Sequence, residues 1–456
     1  MTPTLSDLKK WYSQNITKIQ QDYFTFLKIP SISTDPAYRK HVNEAASWVE
    51  GYLRNIGFKT ELWQTSFHPV VFASHLVDPK RPTVLIYHHY DVQPVDPIEK
   101  WKSPPFEPTI RDGRVYARGA SDNKGQCFYT LTALKALFEL CKKINVNIKV
   151  FVEGEEECGS QGALEVLKTH HQDLKADHIL IVDGGLPAAG RPAITLGLRG
   201  IVALEVSCRN SNIDLHSGIH GGIALNPNRA LVEMLSKLWD KKGKIAIPGF
   251  YKNVVKPTAK ELKAFQKIVD QKYLRKQFGI RAFKGEGGYS LWESNAIRPT
   301  LEINGISGGY AGPGFKTVIP STAIAKVSCR IVPNQDPDQV AKSIANYLKK
   351  IAPKGLEVKV TWDHGGKASR SSPDTKIAHI CSDALAEVFG KPCGNILCGA
   401  SVPLVADLAK VCKGEAVVIG VCLDSDNFHA PNEHFGLDQL QQGFLMIARI
   451  LERLAS

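Results

Sequence analysis

Between Thr83 and Asp183 the chain alternates apolar runs of strand length with segments of helical spacing, a rhythm that few folds accept. The strand runs are residues 83–87 (TVLIY), 147–152 (NIKVFV) and 178–182 (HILIV). Leu131, Leu134, Leu137 and Leu140 repeat at helical spacing within residues 128–140, and residues 163–167 start another helix. Strands that alternate with helices in this way build βαβ units and a largely parallel sheet.

The rhythm breaks after Arg199-Gly200. Residues 201–208 alternate apolar and polar, as a half-solvated antiparallel strand does. A helical stretch (230–239), long Gly-, Pro- and Lys-rich segments, an alternating strand (323–332), a helix (337–348) and a strand (356–362) follow. The α/β style returns near Asp374 with a helix to Val388, a strand at 416–421 and a last helix at 437–454. A chain of 456 residues exceeds what one hydrophobic core serves. The expected fold class is therefore α/β, a mostly parallel sheet flanked by helices and interrupted by an inserted α+β unit.

No run approaches the ~18 apolar residues of a membrane span. Residues 1–20 lack the apolar middle of a secretory signal and read as an amphipathic helix with Trp11, Ile16 and Ile19 on one face. Ten cysteines at irregular positions, without a C-x-x-C pair, predict free thiols in a reducing, cytoplasmic setting. The net charge is +12, but the basic residues are dispersed. The densest run, Asp240-Lys241-Lys242-Gly243-Lys244, reads as a solvated helix end, so no nucleic-acid partner is expected.

Open α/β sheets place their ligands at the carboxyl ends of the strands. After the three strands come His88-His89-Tyr90-Asp91, then Glu153-Gly154-Glu155-Glu156-Glu157, then Asp183. The late strand is followed by Asp424, Asp426 and His429, and Asp122 precedes a helix within residues 118–125. Gathered carboxylates repel one another unless a cation supplies the missing positive charge. Two imidazoles with several carboxylates suit zinc, manganese or cobalt. A pair of such ions ~3.5–4 Å apart needs one bridging carboxylate and separate ligands on each side, and this inventory offers both.

These residues resemble a known family. The string His89-Tyr-Asp91-Val-Gln-Pro, Arg118-Gly-x-x-Asp122-x-Lys-Gly and Glu156-Glu157-x-Gly159-Ser160 are similar to the aminoacylase/carnosinase superfamily of di-metal peptidases. Asp183, Leu198-Arg199-Gly200, Asp214-Leu-His216-Ser-Gly218, Lys316-Thr-Val-Ile-Pro320 and His429-x-x-Asn432-Glu433 extend the resemblance over essentially the whole chain. It is nearest to the cytosolic non-specific dipeptidase branch, which includes carnosinases. The resemblance implies a catalytic domain over residues 1–199 and 370–456, with a lid and dimerisation domain over 200–369. It implies two divalent ions per chain, one on His89, Asp122 and Asp183, the other on Asp122, Glu157 and His429. Asp91 would stand behind His89 and fix its ring. Glu156 would be the general base and acid for a water activated by the two metals, cleaving the amide bond of dipeptides or short peptides. His216 would reach into the site of a second copy, so a homodimer is expected. Arg330 would hold the substrate's carboxylate, and Thr317 and Ser401 would line the same pocket.

Several of these roles have simple chemical support. Residues two apart in a strand share a face, so His89 and Asp91 can cooperate while His88 points away as a core or surface histidine. Adjacent Glu156 and Glu157 cannot share a face in extended backbone, which suggests a division of labour, with Glu153 and Glu155 solvated or structural. One departure stands out. Dipeptidase relatives carry Arg-Glu-Gly-Gly-Ser-Ile-Pro where this chain reads Leu397-Cys398-Gly399-Ala400-Ser401-Val402-Pro403, so a candidate contact for a free amino terminus is missing. The alternative reading is an N-acyl amino acid deacylase or desuccinylase of the same superfamily.

Overall fold

The computed structural model describes residues 3–141, 144–362, 365–402 and 404–455; Pro403 of the departing string lies outside them. Its largest sheet has nine strands. Asn147–Glu153, Thr83–His89, His178–Val182 and Glu415–Ile419 lie side by side and parallel at its centre. Lys59–Trp63 and Val70–His75 extend one flank antiparallel. On the other flank Ala193–Leu198 runs antiparallel to Glu415–Ile419 and Ser369–Arg370, and parallel to Gly394–Cys398.

The sheet is therefore mixed, with the expected parallel strands at its centre and antiparallel strands on its flanks. A parallel neighbour needs a long crossover, usually a helix. Residues 183–192 contain no helix, so the chain turns back and Ala193–Leu198 enters in the opposite sense.

Both faces of the sheet are covered because its central strands are apolar on both sides. Thr83–His89 sends Val84 and Ile86 into one core, shared with helices Leu5–Leu27, Arg39–Ile56, Lys124–Leu140, Lys376–Phe389 and Leu437–Ala455. It sends Leu85 and Tyr87 into the opposite core, under Gln161–Thr169 and Val405–Cys412. The first helix buries Trp11 and Ile19, packs Ile16 partly against the same core, and starts at a capping box between Thr4 and Asp7.

Residues 200–362 build a second sheet with a core of its own. Thr300–Gly308, Thr322–Ile331, Gly200–Arg209 and Glu357–Trp362 form four antiparallel strands. Burial along Gly200–Arg209 alternates residue by residue, so Val202, Leu204 and Val206 face the helices Pro227–Ser236 and Pro337–Ile351. The first of these helices ends at Ser236, short of the expected Trp239. The basic run at 240–244 is accordingly a turn rather than a helix end, with Asp240 accepting the backbone N–H groups of Lys242 and Lys244. All ten cysteines are unpaired. Among the described residues no helix is long and apolar enough to cross a membrane.

The parallel centre decides where chemistry can occur. Three parallel strands end on one rim and deliver His89, the Glu153–Glu157 segment and Asp183 there.

Candidate active site

Asp122 lies at the middle of the rim cluster. One of its oxygens, Oδ1, is 3.2 Å from Nε2 of His89, and the other, Oδ2, is 2.9 Å from Nε2 of His429. Asp183 completes the His89 side, with Oδ2 at 3.9 Å from His89 Nε2. Glu157 completes the other, with Oε2 at 3.3 Å from His429 Nε2. Within each set the donor atoms lie inside 4.8 Å of one another, and Asp122 belongs to both.

The ring of His89 is fully buried and held from behind. Its Nδ1 is 3.2 Å from Oδ1 of Asp91, which leaves Nε2 to face Asp122. The same Asp91 carboxylate accepts the backbone N–H groups of Glu156 (3.3 Å) and Glu157 (3.2 Å) and the hydroxyl of Ser33 (2.6 Å). One buried carboxylate thus aims an imidazole and anchors the turn that carries both glutamates.

That turn is a 3-10 helix, Glu156–Cys158, and not the extended backbone expected. The tight turn still separates the two side chains. Glu157 joins His429 and accepts Nε2 of Gln93 at 2.7 Å. Glu156 belongs to neither donor set, and among the described residues no protein donor reaches its carboxylate.

His88 points to the other side of its strand, is buried, and has its Nδ1 3.0 Å from Oδ1 of Asn123. Burial pulls its pKa down to about 3. Asn123 in turn donates to Oδ1 of Asp183 at 2.7 Å. Glu153 and Glu155 are buried rather than solvated. Glu153 accepts the hydroxyls of Tyr87 and Ser160, and Glu155 accepts the backbone N–H groups of His68 and Gly162. Asp426 caps the backbone of Leu423 and binds Gln439, while Asp424 is exposed; neither belongs to the two donor sets.

Burial and mutual repulsion raise the proton affinity of several of the clustered carboxylates. Burial, reinforced by Asp122, pushes Glu157 up to about 7. Burial likewise raises Asp183 to about 6, with Asp122 adding to it. Glu156 rises well above the carboxylate range, through burial first and then through Glu157, Asp183 and Asp122. Burial opposes the ionisation of Asp122, yet the hydrogen bonds from His429 and His89 hold its pKa below the ordinary value. Hydrogen bonds to Asp122 and Glu157 carry His429 up to about 11. Protons on imidazoles and glutamates here occupy places where positive charge is wanted.

The donor set fits divalent ions. It offers one imidazole and two carboxylates on each side, a mixture suited to zinc, manganese or cobalt. Oε1 of Glu157 is buried without a hydrogen-bond partner among the described residues, an orphan oxygen that a cation would satisfy.

The remaining predicted residues fall into two groups. Arg330, on Thr322–Ile331, is half-buried and lies within the fields of Cys398 and Glu156. The hydroxyl of Ser401 is buried without a partner among the described residues. His216, on a two-stranded ribbon of Leu215–His216 with Val318–Ile319, and Thr317, which directly precedes the second strand, are both exposed. His216 Nδ1 accepts the N–H of Gly218, and the carbonyl of Thr317 accepts the N–H of Ser217. Among the described residues neither makes a hydrogen bond or ion pair with the rim cluster. Gln93, Asn123 and Ser33 support the site but had no predicted role. Gln93 and Asn123 lie inside the motif strings, whereas nothing in the sequence marks Ser33.

Comparison with known proteins agrees with this geometry. Residues 85–453 match the model of peptidase family M20/M25/M40. The chain is 30% identical to the Cys-Gly metallodipeptidase dug1 of Schizosaccharomyces pombe, over 97% of both chains. It is 34% identical to the Beta-Ala-His dipeptidase of Homo sapiens, over 80% of this chain and 73% of that one. Its fold is similar to the crystal structure of a metallo-carboxypeptidase from Sulfolobus solfataricus, with a TM-score of 0.87 and 33% identity over 96% of this chain and 99% of the other. A match over most of the chain, together with two donor sets that share one aspartate, shows that the chain belongs to peptidase family M20/M25/M40.

Proposed function

We propose that this chain hydrolyses the amide bond of dipeptides and very short peptides with two divalent cations held at the sheet rim. The observation that carries the reading is Asp122, whose two carboxylate oxygens face different imidazoles. His89, Asp122 and Asp183 would hold one ion, and Asp122, Glu157 and His429 the other. Zinc or manganese suits these donors, with cobalt as a substitute. When bound, such ions polarise a carbonyl and make water a stronger nucleophile at neutral pH.

The protein's part is positional and acid–base. Glu156 is the group with a raised proton affinity and no internal donor, so it is suited to take a proton from water and return it to the leaving amine. Asp91 holds the Glu156 backbone and the His89 ring in one frame. Arg330, within the field of Glu156, is suited to a substrate carboxylate, and the unpartnered hydroxyl of Ser401 would line the same pocket.

Residues 1–199 and 370–456 would carry the catalysis, and 200–369 would serve as lid and dimerisation domain. His216 is exposed in one chain, where its ring accepts the N–H of Gly218. Ile213, Ile219, Ile223 and Phe315, at 65% to 98% exposure, surround its ribbon in sequence, and the edge strand Thr300–Gly308 exposes Ile306. Apolar surface of this kind supports a homodimer in which His216 and Thr317 complete the partner's site. The ten unpaired thiols support a cytoplasmic location.

The test is a panel of dipeptides, tripeptides and N-acyl amino acids assayed with added Mn²⁺ or Zn²⁺. Chelator-sensitive turnover of dipeptides is expected. Robust deacylation without dipeptide turnover would overturn the reading in favour of a deacylase.

A further inference from the structure

Behind the face of Asp122 that meets the imidazoles lies a second carboxylate, which the hydrolysis does not use. Glu433 is completely buried. Its Oε1 accepts the backbone N–H groups of Ser121 at 2.8 Å and Asp122 at 3.0 Å. Its Oε2 accepts the backbone N–H of Gly119 at 2.9 Å and Nη1 of Arg118 at 2.8 Å. Four donors from five consecutive residues therefore wrap around one side chain. The backbone carbonyl of Glu433 adds a fifth tie by accepting the N–H of Ala117.

A buried carboxylate is costly unless ionic and hydrogen-bonding partners compensate it fully. Here every donor comes from the loop that presents Asp122. The segment bearing Glu433 also bears His429, which meets Asp122 from the front. Asn432, next to Glu433, fastens the segment again through Lys100 and Lys102. His429 and Asn432 have φ angles of +62° and +63°, in the left-handed region that histidine and asparagine enter more readily than most residues. One short turn thus supplies a donor to one side of Asp122 and grips the loop beneath it.

We infer that Glu433 is a positioning residue for cation binding: by gathering the N–H groups of Gly119, Ser121 and Asp122 it holds the Asp122 carboxylate square between His89 and His429. The inference rests on the proposed reading of Asp122 as the shared ligand. The competing role is narrower, with Glu433 acting only as counter-ion to buried Arg118. Charge and shape separate the two. Glutamine in this place keeps the size but offers one acceptor oxygen, and its NH₂ group faces two N–H donors.

The test uses the full chain, stripped with chelator and titrated with Co²⁺, read by visible absorption and calorimetry. Glu433→Gln should bind Co²⁺ about 10–100-fold more weakly than the parent, the range typical for loss of a group that orients a metal ligand. It should also change the shape of the visible bands. The double variant Glu433→Gln/Arg118→Met removes both charges and should remain at least about tenfold weaker. A folded Glu433→Gln chain with parental affinity and bands would overturn the inference. So would recovery of parental affinity in the double variant, which would leave Glu433 a counter-ion only. If the single variant does not fold, the double variant decides. Parental binding of two Co²⁺, abolished by Asp122→Ala, would leave the two-metal reading intact in either case.

Discussion

Asp122 and His429 are 307 residues apart in sequence, yet Oδ2 of the first lies 2.9 Å from Nε2 of the second. His89 meets the other oxygen of the same carboxylate from a strand on the opposite side of the cluster. A carboxylate that faces two imidazoles through its two oxygens has the geometry of a bridge between two cations. The first consequence concerns that bridge. Asp122→Ala should reduce the metal content from two ions per chain to near zero, because both donor sets lose a member. Elemental analysis of the dialysed protein measures this. Retention of one ion would show that the sets do not share a ligand.

Glu156 has no structural bond to lose among the described residues. Glu156→Gln should therefore keep both cations and the thermal midpoint of the parent, while kcat falls by about 10²–10⁴-fold, the usual worth of a positioned acid–base group. Turnover by the variant at a tenth of the parental rate or more would assign the proton transfer to another residue.

His216 should matter across a subunit boundary. His216→Ala chains are expected to fold, bind metal and turn over slowly. Mixed with Glu156→Gln chains they should regain part of the activity, since a heterodimer would contain one site with both groups intact. Activity that stays at the sum of the two separate variants would place His216 outside the partner's site.

A pH prediction comes from Glu153. Burial raises its pKa to about 8, against 4.5 for the ordinary side chain. The folded chain therefore holds this proton more tightly than the unfolded one. Its stabilising contribution is full below about pH 4.5 and is lost as pH rises through about 8. In metal-free protein, the thermal midpoint should fall less between pH 5 and 8 for Glu153→Gln than for the parent. Each unit of pKa difference corresponds to about 1.4 kcal/mol. Parallel melting curves for parent and variant across that window would contradict the assignment.

The periodicity of the sequence made the parallel centre legible because buried parallel strands are apolar on both faces, as residues 83–87, 147–152 and 178–182 are. The antiparallel flanks were not legible. Lys59–Trp63 is mixed in character, and the sense of Ala193–Leu198 depends on a connection without a helix rather than on its own residues. Asp122, Asp183 and His429 stand beside strand or helix ends and announce themselves by residue type. The frame behind them does not. Ser33 reaches Asp91 from 58 positions away, and Gln93 reaches Glu157 from 64, through contacts that only the folded chain creates. The turn at Glu156–Cys158 was equally hidden, since adjacent glutamates have no preferred geometry until Asp91 accepts the N–H groups of Glu156 and Glu157.

The central claim is that two cations act together in peptide hydrolysis, and a stoichiometric titration tests it most directly. Chelator-stripped chain at fixed concentration is titrated with Mn²⁺ or Zn²⁺ while hydrolysis of a simple dipeptide is followed. Activity should climb to a plateau as two equivalents per chain are bound. A plateau at one equivalent, or no dipeptide turnover at any metal concentration, would contradict it.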